Sequence, residues 1–362
     1  MKIFQLAPVW ETVPPPGYGG TEAVISVLTE ELVRRGHEVT LCASGDSCTH
    51  AKLLSVVPRS LRPAGLTGVA LQYSTVHVAF ALKEARNCDI VHNHAGPPSE
   101  LGMALSHLSD VPMLTTLHNQ LTQETQFIWK NYLGWYNAIS HEQASTLPSL
   151  PRAHFAGVVH NGIDVTSFPF QSEKEDYLLF IGRITAAKAP HLAIAAAREV
   201  GMKIVIAGVA MPEERHYFKE VLEPMLDGRQ AVFVGEADAR LKRALYAGAR
   251  ALLLPLQWEE PFGLVMIEAM ACGTPPIVFR RGAAKEIVAD GETGFLVKDV
   301  DEMVAAVHRL DSISPWRCRA WVEERFSPAA LAGGYLAIYE KILGLREPVF
   351  DRSKELIRPV SG

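Results

Sequence analysis

Short apolar runs recur along this chain, each followed by a longer stretch of helical periodicity. That alternation leaves few architectures open, because strands joined through helices must lie parallel and be covered on both faces. Residues 2–8 (KIFQLAP) read as the first buried strand. A Pro/Gly loop over 14–20 leads into a helix over 21–35 that Gly36 closes. Val24, Val27, Leu28 and Leu32 share one face of that helix, and Glu30, Glu31, Arg34 and Arg35 the other. Strands follow at 38–43, 89–92, 112–117, 136–139 and 155–159, with helices predicted at 77–86, 99–108 and 123–133.

His160-Asn161-Gly162-Ile163-Asp164 is turn chemistry, and the polar stretch 171–176 completes a break. A fresh series opens at 177–182 (YLLFIG), with strands at 203–207, 231–234, 251–254 and 276–279 and helices at 190–199, 213–226, 238–247 and 283–289. Asp290 to Val297 turns into a short strand, and helices over 301–310, 316–325 and 328–343 finish the pattern. A chain of 362 residues exceeds what one core accommodates, so two domains are expected, 1–165 and 166–339. Two doubly wound units on one linker enclose a cleft, and ligands of such sheets bind beyond the carboxyl ends of the strands.

Composition narrows the function. A net charge of −5 argues against a general nucleic-acid binder. The five cysteines are odd in number and lack metal spacing, which reads as reduced structural thiols in the cytosol. The opening MKIFQLA is too short an apolar run for a signal peptide, and no run of 18 apolar residues occurs. The expectation is a cytoplasmic protein with no transmembrane segment; peripheral membrane contact stays open.

The segment PLQWEEPFGLVMIEAMACG, residues 255–273, carries the most chemistry. Pro261-Phe262-Gly263 opens a helix whose free amides around Gly263, Leu264 and Val265 suit an anion. Glu260 and Glu268 flank it; carboxylates would repel a phosphate unless they faced hydroxyls, so phosphate beside polyol suggests a nucleotide-sugar. Arg183 and Lys188 share the loop after the 177–182 strand and are placed to hold a diphosphate, or else are two solvated cations. Gly19 and Gly20 allow close backbone approach at a helix start, the alternative being a plain loop with Thr21 as N-cap. This loop is no dinucleotide fingerprint, since G-x-G-x-x-G is absent. His118 and Asn119 end the 112–117 strand, where an imidazole meets a sugar or an acceptor hydroxyl. His92 and His94 have no acidic or cysteine partner at metal spacing, so no metal site is expected. Phe127, Trp129, Tyr132, Trp135 and Tyr136 crowd one segment, as an acceptor pocket or as core.

PPGYGGTE, NGID, GRITAAK, EPFGLVMIE (260–268) and RRGAAKEIVADGETGFLV, in this order and over nearly the whole chain, resemble glycosyltransferase family 4. The resemblance implies an α/β protein of the GT-B type, two Rossmann-like doubly wound parallel-sheet domains facing a central cleft. It implies a retaining enzyme that moves a hexose from a nucleoside-diphosphate sugar to an acceptor hydroxyl. In that reading Arg183 and Lys188 hold the diphosphate with the backbone of Phe262, Gly263 and Leu264, and Ile184 belongs to the same donor-binding loop. Glu268 takes the ribose, Glu260 the donor sugar, Gly19 and Gly20 approach the phosphate, and His118 stands beside the reacting sugar. Asn119, Trp129, Tyr132 and Trp135 fall on the acceptor side, and the chain from about 340 docks back on the first domain. Two departures stand out: Asn119 replaces the Asp or Gly of many relatives, and Ala189-Pro190-His191 replaces Gly-x-Glu.

The implied mechanism is front-face departure, the leaving phosphate taking the acceptor proton, with no cofactor and no metal required. UDP-glucose is favoured as donor, GDP-mannose next. Residues 1–165 hold 10 Lys+Arg and 13 Asp+Glu, no basic face, which points to a soluble acceptor over a lipid. The rival functions are a GT-B nucleotide-sugar epimerase and a non-catalytic nucleotide-sugar-binding module.

Overall fold

Every strand pair among the described residues is parallel, as the alternating pattern requires. A computed structural model describes residues 1–94, 100–123 and 125–344. The first sheet contains β1 (Lys2–Leu6), β2 (Glu38–Cys42), β3 (Lys52–Leu54), β4 (Ile90–Asn93), β5 (Met113–Leu117), β6 (Trp135–Ala138) and β7 (His154–Val158). Their order is β3-β2-β1-β4-β5-β6-β7. The second contains β8 (Tyr177–Ile181), β9 (Lys203–Ala207), β10 (Ala231–Phe233), β11 (Ala251–Leu254), β12 (Pro276–Phe279) and β13 (Phe295–Val297), ordered β10-β9-β8-β11-β12-β13. The strand order of each sheet reverses once, between β1 and β4 and between β8 and β11, and such switch points are where crevices open in doubly wound folds.

Helices cover both faces of the first sheet. Helix Ala70–Glu84 and the segment carrying Trp129 and Tyr132 pack on one side, against Phe4, Val91 and Met113. Helix Gly20–Arg34 covers the other, together with the last helix, Pro328–Gly344. That last helix crosses from the second sheet earlier than the expected position near 340. Its apolar stripe of Leu331, Ala332, Tyr335, Ile338, Tyr339 and Ile342 is buried against Ile3, Ile90 and Leu114, so the return begins at its first turn. Residues 345–362 of the expected docking tail lie outside the described residues.

The two crossings run side by side. Ile163 donates its amide to Phe326 O at 2.9 Å, and a Cβ on Gly162 would stand 2.9 Å from Ser327 O, so only glycine lets the strands of the hinge touch. Several predicted elements differ in detail. The three-residue edge strand β3 and the short helix His141–Ser145 are too brief to show a period. The helix predicted at 213–226 is a series of short turns, with a π segment at Phe218–Leu222. Residues 99 and 124, within the predicted helices 99–108 and 123–133, lie outside the described residues, and the flanking helices span Leu101–Leu105 and Gln126–Asn131.

Candidate active site

Four loops, each leaving the carboxyl end of a strand, meet at a cavity of about 290 Å³ between the two sheets. Tyr18 to Thr21 follow β1 and His118 and Asn119 follow β5; from the second sheet, Arg183 and Lys188 follow β8 and Glu260 to Gly263 follow β11. The Pro/Gly loop spans the cleft directly. Pro16 O accepts the amide of Ala239 at 3.1 Å, and a Cβ on Gly20 would stand 3.2 Å from Leu264 Cδ1. Gly19 has φ +143°, a conformation side chains other than glycine rarely adopt.

On the second-domain side of the cavity, helix Leu264–Ala271 starts from Gly263 in the left-handed region at φ +87°. The amides of Leu264 and Val265 have no acceptor among the described residues, which leaves them as donors aimed past the helix start. Lys188 forms an ion pair with Glu260, and its ammonium lies 5.0 Å from the Trp258 ring centroid. Glu268 is 6% exposed and fully engaged from one side: Lys242 Nζ donates to Oε1 and Tyr246 OH to Oε2, both at 2.8 Å. Arg183 is exposed and makes no ion pair or hydrogen bond among the described residues. The cleft therefore offers an unpaired guanidinium, two free amides and two carboxylates neutralised by lysines. Carboxylates so neutralised keep spare lone pairs for hydroxyl donors without repelling a phosphate beside them.

Ile184 is different. It is 0% exposed, and its amide donates to Val209 O at 2.9 Å, so it anchors the loop from beneath and does not line the cavity. Phe262 lines the cavity but is 2% exposed and packs 5.9 Å from both His160 and Phe326, which ties the loop to the hinge.

The acceptor-side expectation divides. His118 and the exposed Asn119 border the cavity. Trp129, Tyr132 and Trp135 do not, and the assignment of these three to an acceptor pocket is corrected. Trp129 and Tyr132 are 5% and 1% exposed, in edge-to-face contact at 6.1 Å within the core beneath the first sheet. Trp135 begins β6 and packs against His154 with ring centroids 4.9 Å apart and the planes tilted by 39°. Helically spaced aromatics behind a parallel sheet fill its core, and here that burial outweighs any sugar contact.

The VHNH histidines are buried in hydrogen bonds to Thr116, Tyr339, Gln5 and His118. His118 Nε2 lies 3.0 Å from His94 Nδ1, and burial pushes its imidazole down to about 4, so the ring is neutral near pH 7. Among the described residues one cluster has metal-like spacing, His141, His160 and Glu286 at the hinge. Its carboxylate already accepts the amides of His141 and Glu142 at 2.9 and 2.6 Å and contacts His160 at 2.8 Å, which holds the group charged.

The sequence reading passed over Lys242, Tyr246, Trp258 and Tyr18. Lys242 sits on a helix, Ala239–Gly248, whose exposed face is rich in charge, so nothing local distinguishes it; only the packing of that helix on Leu264–Ala271 points it at Glu268. Tyr18 lies inside the quoted PPGYGGTE loop and faces the cavity, with Arg62 over its ring at 4.6 Å.

Two parallel-sheet α/β domains with a cavity between their switch points, bordered by the start of a helix, define a GT-B architecture. Two family models cover the chain in succession, Glycosyltransferase Family 4 over residues 18–167 and Glycosyl transferases group 1 over 165–317. The chain belongs to this glycosyltransferase family. It is similar to a glycogen synthase of Mycobacterium tuberculosis, 27% identical with 86% of each chain covered. Among solved structures it is similar in fold to the sucrose-phosphate synthase of Thermosynechococcus elongatus, with a TM-score of 0.77, 20% identity and coverage of 95% and 99%. The Anabaena protein HepE, solved with UDP and glucose, matches with a TM-score of 0.70, 17% identity and coverage of 95% and 100%.

Proposed function

We propose that this glycosyltransferase moves a hexose from a nucleoside-diphosphate sugar to a hydroxyl of a soluble acceptor with retention of anomeric configuration. UDP-glucose is the favoured donor, and GDP-mannose is second. One observation carries the reading: an unpaired Arg183, the free amides of Leu264 and Val265, and two lysine-neutralised carboxylates border the same cavity. That arrangement suits a diphosphate between two sets of hydroxyls, and the similarity to a glycogen synthase and to HepE, solved with UDP and glucose, supports it.

On donor binding Lys188 turns from Glu260 to the diphosphate, and Glu260 accepts from the sugar hydroxyls left beside it. Glu268, held by Lys242 and Tyr246, accepts from the ribose. Both carboxylates are thus committed to hydroxyls, which favours front-face departure with the leaving phosphate as base over a double displacement. Arg183, Lys188 and the helix start supply the stabilisation of the leaving group, so the reaction needs no metal ion. A thermal-shift panel of UDP, GDP, ADP and CDP tests the donor, because a ligand raises the melting point only of the state it binds. Selective stabilisation by UDP supports the reading, and none by any nucleotide overturns it. Donor incubated alone distinguishes the epimerase, which would release an epimer without acceptor.

A further inference from the structure

A row of buried polar side chains crosses the first sheet on the face covered by the last helix. Gln5 of β1 pairs in register with His92 of β4, and Thr116 of β5 with Asn137 of β6; His94 and His118 follow two positions beyond His92 and Thr116. Gln5, His92, His94, Asn137 and Tyr339 are each 0% exposed, so every donor and acceptor must be matched within the protein.

One backbone carbonyl sets the direction of the whole row. Asn137 Nδ2 donates to Ala138 O at 3.2 Å, so its Oδ1 is an acceptor and Thr116 Oγ1 donates to it at 2.7 Å. Thr116, its one proton used, accepts from His92 Nε2 at 2.7 Å and from Tyr335 OH at 3.0 Å. His92 Nδ1 then accepts from Tyr339 OH at 2.6 Å, and Tyr339 accepts from Gln5 Nε2 at 3.3 Å. Gln5 Oε1 accepts from His94 Nε2 at 2.6 Å, which leaves His94 Nδ1 to accept from His118 Nε2 at 3.0 Å. Among the described residues His118 Nδ1 makes no hydrogen bond, and the ring borders the cavity.

We propose that Gln5, His94 and Tyr339 form a positioning chain that fixes His118 as its Nε2–H tautomer, so that Nδ1 offers the cleft a lone pair for a substrate hydroxyl. The proposal rests on the transferase reading for the identity of that hydroxyl, not for the tautomer. Burial keeps all three rings neutral, which removes imidazolium forms from the chain. His118 in this state accepts a hydrogen bond and cannot act as an acid at Nδ1. The chain also ties the cleft to the last helix, since Tyr339 is one of its links.

The test uses full-length protein labelled with ¹⁵N-histidine and long-range ¹⁵N–¹H correlation spectra, with His118 assigned by the resonances lost in His118→Asn. Wild-type protein should show His118 protonated at Nε2 and bare at Nδ1. In Gln5→Glu the carboxylate can only accept, so it draws a solvent proton onto His94. The His94 Nδ1–H then donates to His118 Nε2, and the His118 proton moves to Nδ1. That variant should keep its UDP affinity and lose about tenfold in kcat, the size of one misdirected hydrogen bond at about 1.4 kcal/mol. Tyr339→Phe, a smaller change that guards against misfolding, uncouples Gln5 from its anchor and should give a mixture of His118 tautomers. A wild-type His118 protonated at Nδ1 overturns the proposal, as does a tautomer unchanged in both variants or a shifted tautomer with unchanged kcat. A correct tautomer in a protein that turns over no nucleotide-sugar instead refutes the transferase reading alone.

Discussion

Replacing Lys188 with alanine separates stability from catalysis. Its ion pair with Glu260 leaves 15% and 10% of the two side chains exposed, at the wall of an open cavity. Stripping a fully buried carboxylate of its partner costs about 3–5 kcal/mol. Here water can enter the space the ammonium leaves, so about 1–2 kcal/mol is expected, small beside a net stability of about 5–15 kcal/mol. Catalysis should suffer more. Loss of one preorganised cation at the departing diphosphate removes about 3–4 kcal/mol of transition-state stabilisation, or roughly 10²–10³ in kcat. Affinity for UDP should fall only about tenfold, because Arg183 and the helix amides remain. Steady-state kinetics with the donor found in the thermal-shift panel, calorimetry with UDP and a thermal melt measure the three quantities. In the double variant Lys188→Ala/Glu260→Gln the unpaired charge is gone, so the melting temperature should recover while the enzyme stays slow. A Lys188→Ala protein with kcat within about threefold of wild type would refute the electrostatic argument.

Other predictions concern the scaffold. Gly282 has φ +55°, and a Cβ there would stand 2.3 Å from both N and O of Glu260, so Gly282→Ala should lower the melting point and slow turnover by shifting Glu260; an unchanged melt would show that this turn tolerates a side chain. Burial in a pocket shared with Glu11 raises the Glu22 carboxyl from 4.5 to about 7. It therefore binds its proton more tightly folded than unfolded, and its contribution is intact below about 4.5 and declines by about 3 kcal/mol as pH rises through 7. Glu22→Gln should accordingly melt higher than wild type at pH 8 and equal to it near pH 4.5, and equal melts at both pH values would contradict this. Trp129→Phe should destabilise the first domain by about 1–3 kcal/mol yet leave the acceptor KM unchanged, since Trp129 is core; a raised KM would restore it to the acceptor site.

The alternation of apolar runs and helical periods was enough to read most of both sheets, because a parallel strand buried on both faces is mostly apolar and a crossover helix must show a stripe. The same logic failed where no period exists. β3 is three residues long, and the 212–225 segment changes helix type along its length. The motif loops were legible because glycine, proline and paired charges at strand ends carry chemistry at short range. Gly19, Gly20, Arg183, Lys188, Glu260, Glu268 and His118 all border one cavity.

The aromatic segment shows the limit. Trp129 and Tyr132 have the spacing of a core helix and the chemistry of a sugar platform, and only their depth beneath β5 and β6 decides between them.

By itself, then, the sequence determined the fold class, the two-sheet division and which loops meet at the cavity, because each is written in local pattern and turn chemistry. Tertiary structure alone decided which groups meet: Lys188 with Glu260, Lys242 with Glu268, and His118 with a chain that begins at the Ala138 carbonyl of β6, three strands across the sheet from Gln5. Those pairings join residues tens to hundreds of positions apart. They follow from strand order and helix packing, which no local period encodes.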